Sequence, residues 1–307
     1  MCVVIPWKIA GYVRKKAAGG AYSNSEALVC EADQRQGALT LCPPVFAKRK
    51  GERGSSVINF SDISNSALLG RALRLPLRLI PKEAEVRILQ GPLRGKRWIA
   101  GSSNHGCWLG SYEVAKQRKI MEFVRPGMVC WDVGANVGFY TLLFAELVGG
   151  EGRVFAFEPF PRNVELLRRH VEMNRYRNAR IFPCALGDFD GETKFDPGPG
   201  SSMGHIGAEG PLSVLCSRAD TLLAAGEVEA PDVIKIDVEG GEADVLRSAL
   251  RVLERHPVIF LATHGETVHR ECVELLMASG YKVHALDGGS PEGTDEILAV
   301  AAGTVGA

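Results

Sequence analysis

The sequence has no long apolar run. Nowhere in its 307 residues do apolar positions reach the roughly 18 in succession that a membrane helix needs. The stretch from Met1 to Ala10 is apolar but is broken by Pro6 and Lys8. A secretory leader would place its basic residues before a longer apolar core. There is also no charge surplus. Lys+Arg and Asp+Glu are both 36, which argues against nucleic acid as an obligate partner. The eight cysteines, at 2, 30, 42, 107, 130, 184, 216 and 272, form no CxxC pair. Neither a zinc site nor a disulfide framework is expected, and a reducing, cytoplasmic setting fits. Cys130 and Cys184 sit in apolar runs and read as small buried hydrophobes. What remains is 46% hydrophobic and 23% charged, enough for a sizeable core.

Residues 1–60 differ from the rest. They carry Gly19-Gly20, Pro43-Pro44 and the basic run Lys48-Arg49-Lys50 without sustained periodicity. A disordered or loosely attached extension is expected there, and a mis-assigned start codon would leave the same pattern. Residues 61–125 read as a helix and hairpin cap. Asp62 to Leu75 has helical spacing stopped by Pro76. Val86–Leu89 and Arg97–Ala100 flank the turn Gly91–Gly95 as a hairpin, and Tyr112–Val124 is an amphipathic helix closed by Pro126-Gly127.

From residue 126 to 307 strands and helices alternate. Strands are expected at Val129–Val133, Arg153–Phe157, Arg180–Cys184, Val233–Val238, Val258–Ala262, Tyr281–Ala285 and Ile297–Ala301. Helices are expected at Phe139–Val148, Arg162–Asn174, Glu242–Glu254 and Val268–Ser279. The pattern predicts an α/β fold with a mostly parallel sheet covered on both faces. The link from Tyr281 to Ala301 has no room for a crossover helix, so the last two strands should pair antiparallel. Residues 187–231 form a long insertion, and insertions of this size are often functional.

In open α/β sheets, ligands sit beyond the carboxyl ends of the strands. The first strand of the alternating region ends in Asp132-Val-Gly-Ala-Asn-Val-Gly138, and a helix follows at once. The next strand ends in Glu158, twenty residues after Gly138, where an acid can accept both ribose hydroxyls of a nucleoside. A dinucleotide-binding turn would need glycine at 136 and 139. The chain has Asn136 and Phe139, which disfavours a pyrophosphate and the nucleotide-cofactor oxidoreductase it would serve. A loop that opens with an acid suits a cationic ligand, and S-adenosylmethionine carries a sulfonium and an amino group. Structural roles stay open for the same residues: helix capping for Asp132, dipole compensation for Glu158 and turn chemistry for Asp188.

Four stretches carry a resemblance. Asp132-Val-Gly-Ala-Asn-Val-Gly-Phe-Tyr-Thr141, Phe155-Ala-Phe-Glu-Pro159, Ala185-Leu-Gly-Asp188 and Ile234-Lys-Ile-Asp-Val-Glu-Gly240 resemble the FkbM-type class I methyltransferases, over about residues 108–286. The resemblance implies a Rossmann-like fold, S-adenosylmethionine as methyl donor and a hydroxyl acceptor on a sugar, glycan or natural product. It implies that Asp132, Gly134, Ala135, Asn136 and Gly138 line the methionine end. Glu158 would hold the ribose, and Ala185 to Asp188 would lie near the adenine.

Methyl transfer to a neutral alcohol gains from a base that removes the proton. Asp237, Glu239 and His264 follow strands and are the candidates. Asp237 and Glu239 would share a side if extended, while Glu239 and Glu242 flank Gly240-Gly241 at a helix start and can instead serve its dipole. Related sequences often carry an acid two positions before this histidine, where this chain has Ala262. The substitution leaves open a different acceptor, a lost orienting partner for His264 or a catalytically weak binding module. The glycine- and aromatic-rich stretch Trp98 to Glu113 is expected either to lid the site, with Tyr112 and Glu113 near the methionine, or to cap the sheet. His105 lacks partner ligands at a suitable spacing, and no metal is expected.

Overall fold

The structure is a computed structural model that describes residues 79–198, 204–206 and 210–302. The expected N-terminal extension and the helix at Asp62–Leu75 lie outside these residues. The described chain opens with the hairpin β1 (Glu85–Arg87) and β2 (Arg97–Ile99), paired antiparallel through Val86 and Trp98. Helix α1 (His105–Leu109), unforeseen in the sequence, follows, and then α2 (Val114–Phe123).

The alternating region runs β3 (Val129–Val133), α3 (Phe139–Val148), β4 (Arg153–Phe157), α4 (Pro161–Met173) and β5 (Ala179–Phe182). Pro183 lacks the amide a ladder needs. The strand expected through Cys184 therefore stops, and β6 (Cys184–Leu186) joins a second sheet. The insertion builds that sheet from β7 (Gly191–Asp196), β8 (His205–Ile206) and β9 (Leu212–Ser217), and ends in α5 (Ala219–Ala224).

The main sheet resumes with β10 (Val233–Ile236), shorter than expected, and then α6 (Glu242–Ser248) and α7 (Leu250–Leu253). One helix was expected there. The chain breaks at Ala249, and Asp220 of α5 caps the new start by accepting the amides of Arg251 and Val252 at 3.1 and 3.3 Å. β11 (Val258–Ala262), α8 (Glu266–Ala278), β12 (Tyr281–Ala285) and β13 (Glu296–Ala301) complete the fold.

The main sheet is ordered β12-β13-β11-β10-β3-β4-β5. All neighbours are parallel except β13, which lies antiparallel between β11 and β12. The strand period of two sorts side chains to two cores. Trp131, Val133, Ile234 and Ile236 face α6 and α8, whereas Cys130 and Val233 face α3 and the N-terminal hairpin. Trp98, Trp108 and Ile120 of the N-terminal segment share this second core with Leu142 and Phe144. The sheet order reverses at β3 and β10, which opens a crevice at their carboxyl ends. Among the described residues, no helix is long and apolar enough to cross a membrane.

Candidate active site

The loop from Gly134 to Gly138 is shaped by what a side chain would hit. A Cβ on Gly134 (φ +71) would run into the Asp237 carbonyl, and one on Gly138 (φ +97) into Leu167 of α4. Between them Asn136 is left-handed at φ 50, a conformation asparagine tolerates. Every amide of the loop is already used. Gly134 and Ala135 donate to the Phe157 carbonyl at 3.0 Å, Asn136 to Glu158 Oε2 at 2.7 Å and Val137 to Asn136 Oδ1 at 2.7 Å. Gly138 donates to the Ala135 carbonyl at 2.9 Å. A pyrophosphate, which binds through free amides, would find none here.

Beneath the loop lies a buried ion pair. On β3 and β10, Asp132 and Lys235 are direct register partners, and both point to the α3 face. Lys235 Nζ is 3.4 Å from Asp132 Oδ1 and donates to the Gly134 carbonyl at 2.7 Å. The Thr141 hydroxyl donates to Asp132 Oδ2 at 2.6 Å. Asp132 is fully buried.

A cleft of about 570 Å³ opens above the strand ends. Gly134, Ala135, Asn136, Glu158 and Ala185 line it, with Tyr112 and Glu113 from the N-terminal stretch. Three expected cofactor contacts are not on its wall. Asp132 supports the loop from below, Gly138 serves the packing against Leu167, and Asp188 is exposed outside the cleft. Its neighbour Asp190 accepts the Arg218 amide at 2.9 Å and the Thr221 hydroxyl at 2.8 Å, which is turn chemistry.

Glu158 is buried at the end of β4. One of its oxygens accepts the Asn136 amide and the other the Phe160 amide at 2.9 Å. Burial pushes its carboxyl above the ordinary value despite these bonds. Oε1 also accepts the Asn163 side-chain amide at 3.4 Å, whereas Oε2 keeps a further lone pair, and the residue lines the cleft.

Across the cleft, Asp237, Glu239 and His264 converge. His264 Nε2 is 3.4 Å from Glu239 Oε2 and 3.9 Å from Asp237 Oδ1. The premise of an extended pair is corrected, because β10 ends at Ile236 and Glu239 is left-handed at φ 56. The turn, not a strand, swings both acids to the imidazole. His264 Nδ1 lies 2.7 Å from Glu242 Oε1. That hydrogen bond, and the fields of the three carboxylates, raise the imidazole pKa to about 9 against some loss from burial. Near neutrality the ring is an imidazolium with no lone pair. In that form the ring lacks the property expected of His264 as a base, which is to accept a proton. Burial also lifts the Glu239 carboxyl above its usual range.

Two groups in this half escaped the sequence reading. Glu242, taken as a dipole acid, is fully buried and accepts the Gly240 amide at 3.0 Å as well as holding His264. Lys235 lay in the run Val-Ile-Lys-Ile, and a charge inside an apolar central strand was the available signal. Ala262, where an acid was expected, is the register partner of Glu296 on β13. Glu296 lines the cleft and pairs with buried Lys116 at 2.5 Å. Lys116 also pairs with Glu113 at 2.8 Å, and the Tyr140 hydroxyl donates to Glu113 at 2.6 Å. Burial pushes the Glu113 carboxyl up, but Lys116 outweighs it and holds it below the ordinary value.

Residues 132–283 match the methyltransferase FkbM domain. The hexuronic acid methyltransferase AglP of Haloferax volcanii is 28% identical over 163 residues, 52% of this chain and 65% of that protein. The 2-O-methyltransferase NoeI of Sinorhizobium fredii is 27% identical over 156 residues, 44% of this chain and 63% of that protein. The chain thus spans less than two thirds of either relative's length. The crystal structure of methyltransferase FkbM from Methylobacillus flagellatus aligns with a TM-score of 0.42 at 19% identity, over 64% of this chain and 53% of that one. The chain belongs to the FkbM methyltransferases.

Proposed function

We propose that this protein transfers the methyl group of S-adenosylmethionine to a hydroxyl on a sugar, glycan or other natural product. The observation that carries the proposal is the cleft's division. A buried carboxylate, Glu158, fixed by two backbone amides, faces one end. A cluster of Asp237, Glu239 and His264 faces the other. Glu158 suits two adjacent ribose hydroxyls. Gly134, Ala135 and Asn136 would border the methionine portion, and Ala185 the adenine. The loop's used amides speak against a dinucleotide.

The acceptor oxygen attacks the methyl carbon, the carbon–sulfur bond breaks and S-adenosylhomocysteine leaves as the neutral thioether. The hydroxyl proton passes to Glu239 or Asp237, with the His264 imidazolium holding the acids in place. Glu296 stands opposite Ala262 and supplies a carboxylate to the cleft from the neighbouring strand, which favours an active enzyme over a weak binding module. The name of AglP, a hexuronic acid methyltransferase, supports a sugar acceptor, and that of NoeI, a 2-O-methyltransferase, supports an acceptor oxygen. The described cysteines are free and buried, consistent with a cytoplasmic location.

Turnover of labelled donor against a panel of hydroxylated sugars and metabolites tests the proposal. Transfer is expected to at least one acceptor. It should fall in Asp237→Ala and Glu239→Ala, and unchanged rates in these two and in His264→Ala would refute the role of the cluster.

A further inference from the structure

The acceptor end of the cleft holds more negative charge than its own side chains neutralise. Asp237, Glu239 and Glu242 surround one cationic group, His264, while Lys235 beside them is matched by Asp132. Lys235 is occupied by Asp132 and by the Val133 and Gly134 carbonyls, and reaches Asp237 only at 3.8 Å. With His264 protonated the group carries two surplus negative charges, and with His264 neutral it carries three.

The donor set has the make-up of a cation site. One ligand atom each from Asp237, Glu239 and His264 lies within 4.8 Å of the others, and all three residues line the cleft. Ligand atoms about 2.1 Å from a tetrahedral ion sit roughly 3.4 Å apart. The Nε2–Glu239 separation is 3.4 Å, and the Nε2–Asp237 separation of 3.9 Å asks for a shift of a few tenths of an ångström.

A second observation lies behind the cluster. Glu242 is fully buried and its Oε1 takes His264 Nδ1, which turns Nε2 toward the two acids in the cleft. A carboxylate on the far nitrogen is how metal-binding histidines are oriented and made more basic. The other oxygen, Oε2, is buried with no hydrogen-bond partner. An unsatisfied buried carboxylate oxygen is costly, and a positive charge one residue away reduces that cost.

We propose that Asp237, Glu239 and His264 bind a divalent cation through one atom each, the ion displacing the Nε2 proton of His264 and leaving the second oxygen of each acid free to take the acceptor's proton, with Glu242 as the positioning residue for His264. One nitrogen and two carboxylate oxygens suit manganese, and also zinc. Three protein ligands leave open positions facing the cleft, where oxygens of the acceptor, such as two adjacent hydroxyls, can coordinate. The site rests on the methyltransferase reading only for what fills those open positions.

The test is titration of the full chain, stripped with chelator and dialysed, with Mn2+, read as loss of the free-ion electron paramagnetic resonance signal. One ion per chain is expected. Glu239→Gln and Glu242→Gln should each weaken uptake by about ten-fold or more. Calorimetry with S-adenosylhomocysteine on the same samples reports folding and the donor end, and should be unchanged in both variants. If either variant loses this binding, His264→Gln and Asp237→Asn take its place. No uptake by the unaltered chain, or equal uptake by the variants that keep S-adenosylhomocysteine binding, overturns the proposal. Manganese bound without any S-adenosylhomocysteine binding would overturn the methyltransferase reading and leave the cation site standing.

Discussion

The two ends of the cleft are built from the same residue type in opposite ways. At the donor end the acids are answered by the fold itself: Asp132 by Lys235 and Thr141, Glu158 by the amides of Asn136 and Phe160. At the acceptor end Asp237, Glu239 and Glu242 crowd one imidazole on a turn with a left-handed glutamate. Backbone partners fix a carboxylate for one ligand, whereas mutual repulsion leaves a cluster ready for a cation, a proton or a polar acceptor. The difference teaches that the donor end is part of the sheet's architecture, and the acceptor end is a graft upon it.

The largest effect is expected where the two ends share a support. Lys235→Met leaves Asp132 charged and unpaired at full burial, which costs about 3–5 kcal/mol and lowers the denaturation midpoint. The double variant Asp132→Asn with Lys235→Met should recover part of that loss. Equal losses in the single and double variants would break the claim that the pair acts as one unit.

Next comes the tie between the hairpin and the loop. His170 is buried, stacks on Trp98, donates from Nδ1 to the Val137 carbonyl at 2.7 Å and accepts the Ile99 amide at 3.0 Å. Burial lowers its pKa from 6.5 to about 4. The unfolded chain takes up a proton below 6.5, and the folded chain does not until about 4. The contribution of His170 to stability is therefore level above pH 6.5 and falls by about 3 kcal/mol as the pH drops to 4. Denaturation curves across this window should show the fall, with its slope reduced in His170→Asn.

Two smaller effects separate the ends. Glu158→Ala should weaken S-adenosylhomocysteine binding by roughly 1.5–3 kcal/mol, the size of hydrogen bonds to a charged group, and should also lower the melting midpoint, because the Asn136 and Phe160 amides lose their acceptor. Glu296→Gln should cost about 1 kcal/mol of stability, because Lys116 keeps Glu113. It should raise KM for the acceptor while leaving S-adenosylhomocysteine binding alone. A Glu296 variant that loses the donor instead would erase the proposed boundary between the two ends.

What the sequence revealed follows the same boundary. The donor end was legible because its parts are local: the strand at Val129–Val133, the loop behind it, the helix at Phe139–Val148 and the acid closing the next strand. Periodicity fixed those bounds to the residue. The antiparallel entry of β13 was legible from the short link before it, but its place between β11 and β12 was not. The acceptor end depends on contacts that spacing does not encode. Glu242 reaches His264 across twenty-two residues, and Glu296 faces Ala262 from another strand. Asp188 and Gly138 show how motif and placement can part. Each sits in a motif whose pattern points to the ligand, yet one stands in a solvent-facing turn and the other packs against Leu167.

The central claim is that the loop and Glu158 hold an adenosyl-amino acid rather than a dinucleotide. Its most direct test is parallel calorimetric titration of the intact protein with S-adenosylhomocysteine and with NAD. The account predicts saturable binding of S-adenosylhomocysteine at one per chain, weakened in Glu158→Ala, and no binding of NAD. Saturable binding of NAD with none of S-adenosylhomocysteine would contradict it.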